Sequence, residues 1–461
     1  MPFVGTIRVP SDKSISHRAV LFAGLAQGVS RLEAVLPSDD VHATIEAIKA
    51  LGARVDLKPS PYGLAGEVEG IGCVRGSDPL AHWCAKGSDP LTHDPLTHPA
   101  AGLVIDCGNS GTTARLLMGV LAGLGMDATL VGDASLSRRP MERVMGPLRR
   151  LGAAFESDEG HLPVRVLPNQ GLHAAQLMTE QASAQVKSAI LLAGMQAQGT
   201  TSVTEPSKSR DHTELLLPAF GVDVEVNGLM ASVEGPARMH AHDMSVPGDP
   251  SSAAFVAVAA VLSPGSDVTL EQVALNPTRT GAFEVLRRMG AALTYRDERT
   301  EGRERVGDVH VAYTPQLAAT RVLPDEIPTL IDEIPILAIA AALARGETVF
   351  ESCGELRVKE CDRMTAIIEG LAAFGVTAYA DGDDLHIMGL AGDLGGMPPH
   401  VSLPTYGDHR LAMTWFLAGE IFGVGVELDD VECVGVSWPD FFADMESLKR
   451  QDGTLTSRQM S

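Results

Sequence analysis

Eight short segments place lysine, arginine, serine, glycine or carboxylate residues where a helix is expected to begin. In Pro10-Ser11-Asp12-Lys13-Ser14-Ile15-Ser16-His17-Arg18, Ser11 or Asp12 can cap a helix whose inner stripe is Ile15, Ala19, Phe22 and Ala26. Lys13, Ser14 and Arg18 then fall in its first turns, where unsatisfied backbone N–H groups and the helix dipole favour an anion. Cys107-Gly108-Asn109-Ser110-Gly111-Thr112-Thr113-Ala114-Arg115 sets two glycines before another helix, and bare backbone there can approach a phosphate or carboxylate closely. It lacks the Gly-Lys-Ser/Thr ending of a Walker loop. Gly132-Asp133 leads to the basic pair Arg138-Arg139 before Pro140. Ser183-Ala184-Gln185-Val186-Lys187-Ser188 opens a helix buried through Val186, Ala189, Ile190 and Ala193, which leaves Ser183 and Gln185 at its mouth. Lys208-Ser209-Arg210-Asp211-His212 is the fifth.

The remaining three carry the carboxylates. Asp332-Glu333-Ile334-Pro335 precedes an apolar helix from Ile336 to Leu343, with Pro335 suited to its first turn. Arg357-Val358-Lys359-Glu360-Cys361-Asp362-Arg363 holds five charges in seven residues before a helix with Met364, Ile367, Ile368 and Leu371 inward. Tyr406-Gly407-Asp408-His409-Arg410 opens the last of them. Taken singly, ordinary capping or a solvated charged face accounts for each segment. Together they describe a site for a ligand with two or more anionic groups, with a few carboxylates beside it as general acid–base candidates.

The elements that must position these residues recur. Leu51-Gly52-Ala53, Leu151-Gly152-Ala153, Phe220-Gly221-Val222, Met289-Gly290-Ala291 and Phe374-Gly375-Val376 each follow an amphipathic stretch and precede strand-like residues. The glycine fits a left-handed helix C-cap, and a run such as Val222-Asp223-Val224-Glu225-Val226 alternates like a half-buried strand. Gly152 to Gly221 and Gly221 to Gly290 are both 69 residues apart, and Gly290 to Gly375 is 85. A period near 70 is too long for a solenoid of helix pairs; it fits about six units of several strands and two helices. The interval from Gly52 to Gly152, 100 residues, contains the exception. From Arg75 to Pro99 the chain repeats Gly-Ser-Asp-Pro-Leu and Asp-Pro-Leu-Thr-His without helical or strand periodicity, which reads as a loop insertion whose His82, His93 and His98 are surface residues rather than metal ligands. The tail from Arg450 to Ser461 is polar and is expected to fray.

The chain's 461 residues suggest two to four domains, and 45% hydrophobic with 21% charged residues is ordinary for a globular protein. A net charge of -23 argues against nucleic acid or an anionic membrane as partner, and 4% aromatic residues argue against a base-stacking platform. Cys73, Cys84, Cys107, Cys353, Cys361 and Cys433 form no CxxC pair, so reduced thiols in a cytoplasmic protein are expected. Met1–Pro10 shows no basic stretch followed by an apolar run, so no signal peptide is expected, and no run of about 18 uninterrupted apolar residues suggests a membrane span.

Asp12-Lys13-Ser14-Ile15-Ser16-His17-Arg18, Gly108-Asn109-Ser110-Gly111-Thr112, Arg139-Pro140-Met141, Ser183-Ala184-Gln185-Val186-Lys187-Ser188, Gly248-Asp249-Pro250-Ser251-Ser252-Ala253, Arg357-Val358-Lys359-Glu360-Cys361-Asp362-Arg363 and Asp408-His409-Arg410 follow one another over nearly the whole chain. In that order they resemble the 5-enolpyruvylshikimate-3-phosphate synthase family, and Ser-Ala-Gln-Val-Lys with Arg-Asp-His-Thr looks like its bacterial class II branch. The resemblance implies an α/β fold of the enolpyruvyl transferase kind: a two-domain inside-out α/β barrel, three βαβαββ units per domain, with helix N-termini turned to the interdomain cleft. It places residues 1–11 plus 245–461 in a lower domain and 12–244 in an upper one. It implies shikimate 3-phosphate and phosphoenolpyruvate as substrates, a monomer, and no metal or organic cofactor.

By motif, Ser14, Arg18, Ser183, Gln185 and Arg210, with Lys359 and Asp332, resemble the shikimate 3-phosphate binders. Lys13, Gly111, Arg139, Gln185, Arg363 and Arg410 resemble the phosphoenolpyruvate binders, and Asp332, Glu360 and Lys13 the catalytic set. Three positions depart from the pattern: Ser135 where many relatives carry arginine, Leu116 where a proline often stands, and Ser437 in the stretch where relatives place a lysine before an aromatic-Pro pair, here Trp438-Pro439. Gly111, rather than alanine, leaves room for the inhibitor glyphosate, so sensitivity to it is expected. The rivals are a sister transferase acting on UDP-N-acetylglucosamine, whose Pro-Gly-Gly-Cys loop is lacking here, and a non-catalytic anion-binding protein, which would be marked by loss of Asp332 or Glu360.

Overall fold

The computed structural model describes residues 1–72 and 102–449. The Arg75–Pro99 insertion with its three histidines, Cys73, Cys84 and the tail from Arg450 lie outside the described residues. The chain divides into two compact units: one comprises Met1–Pro10, Gly248–Arg299 and Arg305–Ser461, the other Ser11–Pro247 and Thr300–Glu304.

The Ser11–Pro247 unit contains three four-stranded sheets of one design. Their strand orders are Met244–Ser245, Gln27–Val35, Gly63–Ile71, Arg54–Ser60; then Leu103–Asp106, Ala128–Val131, His161–Leu167, Ala154–Asp158; then Gln176–Met178, Gly199–Thr204, Met230–Gly235, Val224–Asn227. In each sheet the first pair is parallel and the other two are antiparallel. A parallel pair needs a crossover. The helices Gly111–Leu124 and Ala184–Gly194 supply it in two of the sheets, so both begin directly after a strand's C-terminal end. These helices pack face to face, and Gly119 is what lets them: a Cβ there would stand 2.2 Å from the Ala189 carbonyl oxygen.

The unit containing Gly248 repeats the design twice. The order is Val4–Ile7, Asp267–Ala274, Glu304–Ala312, Ala292–Glu301 in one sheet and Arg321–Val322, Arg345–Phe350, Asp384–Leu390, Ala378–Asp381 in the other. A third pair, His400–Leu403 with Gly425–Leu428, is parallel and, among the described residues, has no antiparallel strands added. The helices Pro250–Leu262 and Ile334–Leu343 are apolar on all sides and buried almost end to end, as befits helices at the centre of a unit.

The first strand of each unit's sheet system is exchanged. Val4–Ile7 pairs in parallel with Asp267–Leu270, whereas Met244–Ser245 pairs with Leu32–Glu33. The five helix-ending glycines behave as the repeat requires, with φ of +104° at Gly52, +97° at Gly152, +84° at Gly221, +99° at Gly290 and +83° at Gly375. Two details differ from the expected pattern. The element before Gly221 ends as a 3-10 turn, Leu217–Phe220, because Pro218 removes a backbone donor, and the strand after it begins at Val224 rather than Val222.

His17 is buried on the Lys13–Leu25 helix, its Nδ1 2.7 Å from Thr44 Oγ1. Burial pushes its pKa down to about 3, with Lys13 and Arg18 adding to the effect and Asp40 opposing it. An unfolded chain takes up this proton near pH 6.5, so between pH 6.5 and 3 the unfolded state binds a proton that the folded state refuses. Stability from His17 is therefore complete above pH 6.5 and is lost as pH falls. The expected contribution to urea-unfolding free energy is about 2 kcal/mol smaller at pH 5 than at pH 7. His17→Gln should flatten that part of the acid limb; an unchanged limb would show that His17 is not its source.

Candidate active site

Within the Ser11–Pro247 unit, four helix starts carry the predicted basic and polar residues. Asp12 caps the first helix by accepting from Ile15 N at 2.8 Å, which puts Lys13 and Ser14 in its opening turn. Lys13 Nζ pairs with Asp40, whose backbone oxygen accepts from Thr113 Oγ1 at 3.4 Å; Thr113 in turn bonds Ser110, the cap of the Gly111–Leu124 helix. Arg115, one turn into that helix, donates from Nη1 to Gln185 Oε1 at 2.6 Å, and Gln185 Nε2 donates to Thr112 Oγ1 at 3.0 Å. Arg139 reaches the same loop, donating from Nη2 to Asn109 Oδ1 at 2.7 Å and to Ser135 Oγ at 3.4 Å. Ser183 caps the Ala184–Gly194 helix.

Arg18 lies deeper, nearly buried. It donates from Nε to Thr213 Oγ1 at 2.7 Å, from Nη2 to Ser188 Oγ at 2.8 Å and from Nη1 to the Ser14 carbonyl at 3.0 Å. Burial lowers its pKa to about 10, which Glu214 and Asp12 oppose and nearby Arg210 reinforces. Lys13 is thus joined through Asp40 and Thr113 to the helix that Gly111 opens, Arg115 joins that helix to Gln185, Arg139 reaches its loop, and Arg210 lies near enough to Arg18 to act on its charge.

The other unit assembles the carboxylate set around one guanidinium. Arg363, at the start of the Arg363–Ala373 helix, is 1% exposed. Its Nε donates to Asp408 Oδ2 at 2.7 Å, its Nη2 to Glu360 Oε2 at 2.6 Å and its Nη1 to Asp332 Oδ1 at 3.2 Å. Burial disfavours its charge, but Asp408, Glu360 and Asp332 outweigh burial and hold it above the usual guanidinium range. Lys359 Nζ stands 3.5 Å from Asp332 Oδ1. Arg410 donates from Nη1 to the Asp332 carbonyl at 3.2 Å and lies 3.5 Å from Glu333. Asp332, Lys359, Glu360, Arg363 and Arg410 therefore come together, although they span 78 positions of sequence between Asp332 and Arg410. Cys361 points at Asp408, and burial with that carboxylate pushes its thiol up to about 12, which disfavours the reactive thiolate.

Sequence reasoning passed over several members. Arg115 was visible as the residue four after Gly111, hence on the same helix face, yet only its bond to Gln185 shows what it does. Asp40 against Lys13 had no local signal, and Glu333, quoted with Asp332 at its helix start, was not singled out although it is buried. Ser135 packs against Arg139, Leu116 is buried, and Ser437 precedes the buried Trp438. Among the described residues, no three of His, Cys, Asp or Glu are arranged to hold a metal ion, and no helix is long and apolar enough to cross a membrane.

Repeated four-stranded α/β units whose helix starts gather cations, with a carboxylate cluster in one unit, define a protein of the enolpyruvyl transferase fold class. The sequence pattern of EPSP synthase (3-phosphoshikimate 1-carboxyvinyltransferase) matches residues 1–61 and 89–445. The chain is 43% identical over 455 residues to a 3-phosphoshikimate 1-carboxyvinyltransferase of Xylella fastidiosa, covering 98% of this chain and 92% of that one. It is 43% identical over 450 residues to the enzyme of the same name from Gluconobacter oxydans, covering 96% and 95%. The crystal structure of EPSP synthase from Acinetobacter baumannii superimposes with a TM-score of 0.80 at 38% identity, covering 97% of this chain and 95% of that one. The chain belongs to the EPSP synthase family.

Proposed function

We propose that this chain transfers the carboxyvinyl group of phosphoenolpyruvate to the 5-hydroxyl of shikimate 3-phosphate, releasing phosphate. The hydroxyl oxygen adds to C2 of phosphoenolpyruvate while C3 takes up a proton. The resulting tetrahedral adduct then loses phosphate from C2 and a proton from C3, which restores the double bond in the product. Asp332 accepts the hydroxyl proton, Glu360 handles the proton at C3, and Lys13 assists at the bridging oxygen. Arg139, Arg363 and Arg410, with Lys13, Gly111 and Gln185, hold the carboxylate and phosphate of phosphoenolpyruvate through charge-assisted and bidentate hydrogen bonds. Ser14, Arg18, Ser183, Gln185 and Arg210, helped by Lys359 and Asp332, hold shikimate 3-phosphate. Fixed charges of this kind act on charge that develops during reaction without having to reorganise. The reading extends to a monomer working in the cytoplasm.

The observation that carries it is the Asp332–Arg363–Glu360 arrangement, in which two carboxylates are oriented by one buried guanidinium beside Lys359 and Arg410. Phosphate release should require shikimate 3-phosphate and phosphoenolpyruvate together. Release with UDP-N-acetylglucosamine in place of shikimate 3-phosphate would favour the sister transferase. Tight binding of both ligands with no release would make the chain a binding protein.

Gly111 gives a sharper check. A Cβ there would lie 3.0 Å from Arg115 Nη1 and 3.5 Å from Arg139 Nη1, so the added methyl displaces the far ends of flexible side chains. Folding should be nearly unaffected. Moving these guanidiniums is expected to cost ~1 kcal/mol in phosphoenolpyruvate binding, about a fivefold rise in its KM. Steady-state kinetics of Gly111→Ala with each substrate varied would show this, and an unchanged phosphoenolpyruvate KM would remove Gly111 from that subsite.

A further inference from the structure

The motif Ser183-Ala184-Gln185-Val186-Lys187-Ser188 contains one charged residue, Lys187, that the reaction above does not use. Lys187 is 4% exposed, and its Nζ lies 2.7 Å from Glu205 Oε2 and 2.7 Å from Glu214 Oε1, carboxylates that are themselves 2% and 5% exposed. Burial opposes the charge on Lys187, but Glu214 and Glu205 overcome it and hold the ammonium above its ordinary pKa.

Each glutamate leads to a residue of the shikimate 3-phosphate set. Glu205 Oε1 accepts the backbone N–H of Ser183 at 2.9 Å, and both its oxygens accept from Ser209 Oγ, at 2.7 and 2.9 Å, next to Arg210. Glu214 follows Thr213, which shares Arg18 with Ser188, the residue after Lys187. One buried ammonium therefore ties three stretches of chain: the Ala184–Gly194 helix, the segment around Ser209, and the His212–Leu216 helix.

Stability alone does not account for this arrangement. Desolvating one cation and two anions costs as much as their attraction returns, and well-packed apolar groups often do as well. Charge placement does account for it. Glu214 acts on the charge of Arg18, and Glu205 holds Ser209 next to Arg210; burial pushes the Glu214 carboxyl up and Lys187 opposes that, so negative charge here would repel an incoming anion while the cation between the two groups cancels much of that field.

We propose that Lys187 is a positioning residue for the shikimate 3-phosphate subsite, holding Glu205 and Glu214 so that they orient Ser183, Arg18 and Arg210 without opposing the ligand's phosphate and carboxylate. The proposal rests on the functional reading above. Lys187→Met should raise the KM for shikimate 3-phosphate about tenfold or more, with kcat and the phosphoenolpyruvate KM changed much less. Glu205→Gln keeps an oxygen acceptor for Ser183 and removes one negative charge, so shikimate 3-phosphate should bind as tightly or more tightly. The double variant Lys187→Met/Glu205→Gln should recover most of the lost affinity.

The measurements are phosphate-release kinetics of the full chain and titration calorimetry with shikimate 3-phosphate. If Lys187→Met does not fold, Glu205→Gln decides alone, because weaker binding there contradicts the charge argument. A fall in unfolding temperature with the KM for shikimate 3-phosphate unchanged, or no recovery in the double variant, would overturn the proposal. Absence of phosphate release by the unmodified chain would instead count against the functional reading itself.

Discussion

Asp332→Ala is expected to turn over ~100- to 10,000-fold more slowly than the parent, the usual size of a positioned general base, while losing far less in shikimate 3-phosphate binding. Asp332 is 15% exposed and its Oδ1 stands 3.2 Å from Arg363 Nη1 and 3.5 Å from Lys359 Nζ. It is thus an oriented carboxylate beside cations rather than a surface charge. The Asp332 carbonyl is held by Arg410, so the backbone at this position is fixed as well. Removing the side chain deletes the proposed proton acceptor and leaves Arg363 still paired with Asp408 and Glu360. Folding should therefore survive, and the loss should appear in kcat. Steady-state phosphate release compared with calorimetric binding separates the two effects, and unchanged turnover in both Asp332→Ala and Glu360→Ala would overturn the acid–base assignment.

Arg363→Ala should instead damage both folding and activity. The guanidinium is buried among Asp408, Glu360 and Asp332, and taking it away leaves carboxylates without their shared counter-charge. Breaking a buried pair in this way costs about 3–5 kcal/mol. Arg363→Lys restores the charge but not the planar fork that serves three carboxylates at once, so it should fold better than the alanine variant and still bind phosphoenolpyruvate poorly. Chemical unfolding and the phosphoenolpyruvate KM of the two variants provide the check. Parent-like stability in Arg363→Ala would mean that the carboxylates find other partners.

These expectations draw on features that were unequally legible in the sequence. Helix starts were readable because caps are local: Asp12, Ser110, Ser183, Asp362 and Asp408 all accept from backbone N–H groups within three residues. The repeat was readable because five of its helical elements are followed by a left-handed residue, and glycine marks that place at Gly52, Gly152, Gly221, Gly290 and Gly375. The partners of buried charges were not. Lys13 with Asp40, Arg18 with Thr213, and Lys187 with Glu205 and Glu214 join separate elements, and nothing in local periodicity or spacing selects one distant residue over another. Lys187 and Glu333 stood inside motifs at helix starts, but nothing local showed that both side chains are buried.

The exchanged first strands have a bearing on synthesis. Every strand of the three sheets in the Ser11–Pro247 unit has been made once the ribosome passes Ser245, so that unit can set its sheets while the rest is still being translated. Val4–Ile7 emerges ahead of all of them but finds its partner only when Asp267–Leu270 appears. That segment must therefore wait with its hydrogen-bonding edge unmatched, and nascent chains stalled shortly before Asp267 are where chaperone dependence should be greatest.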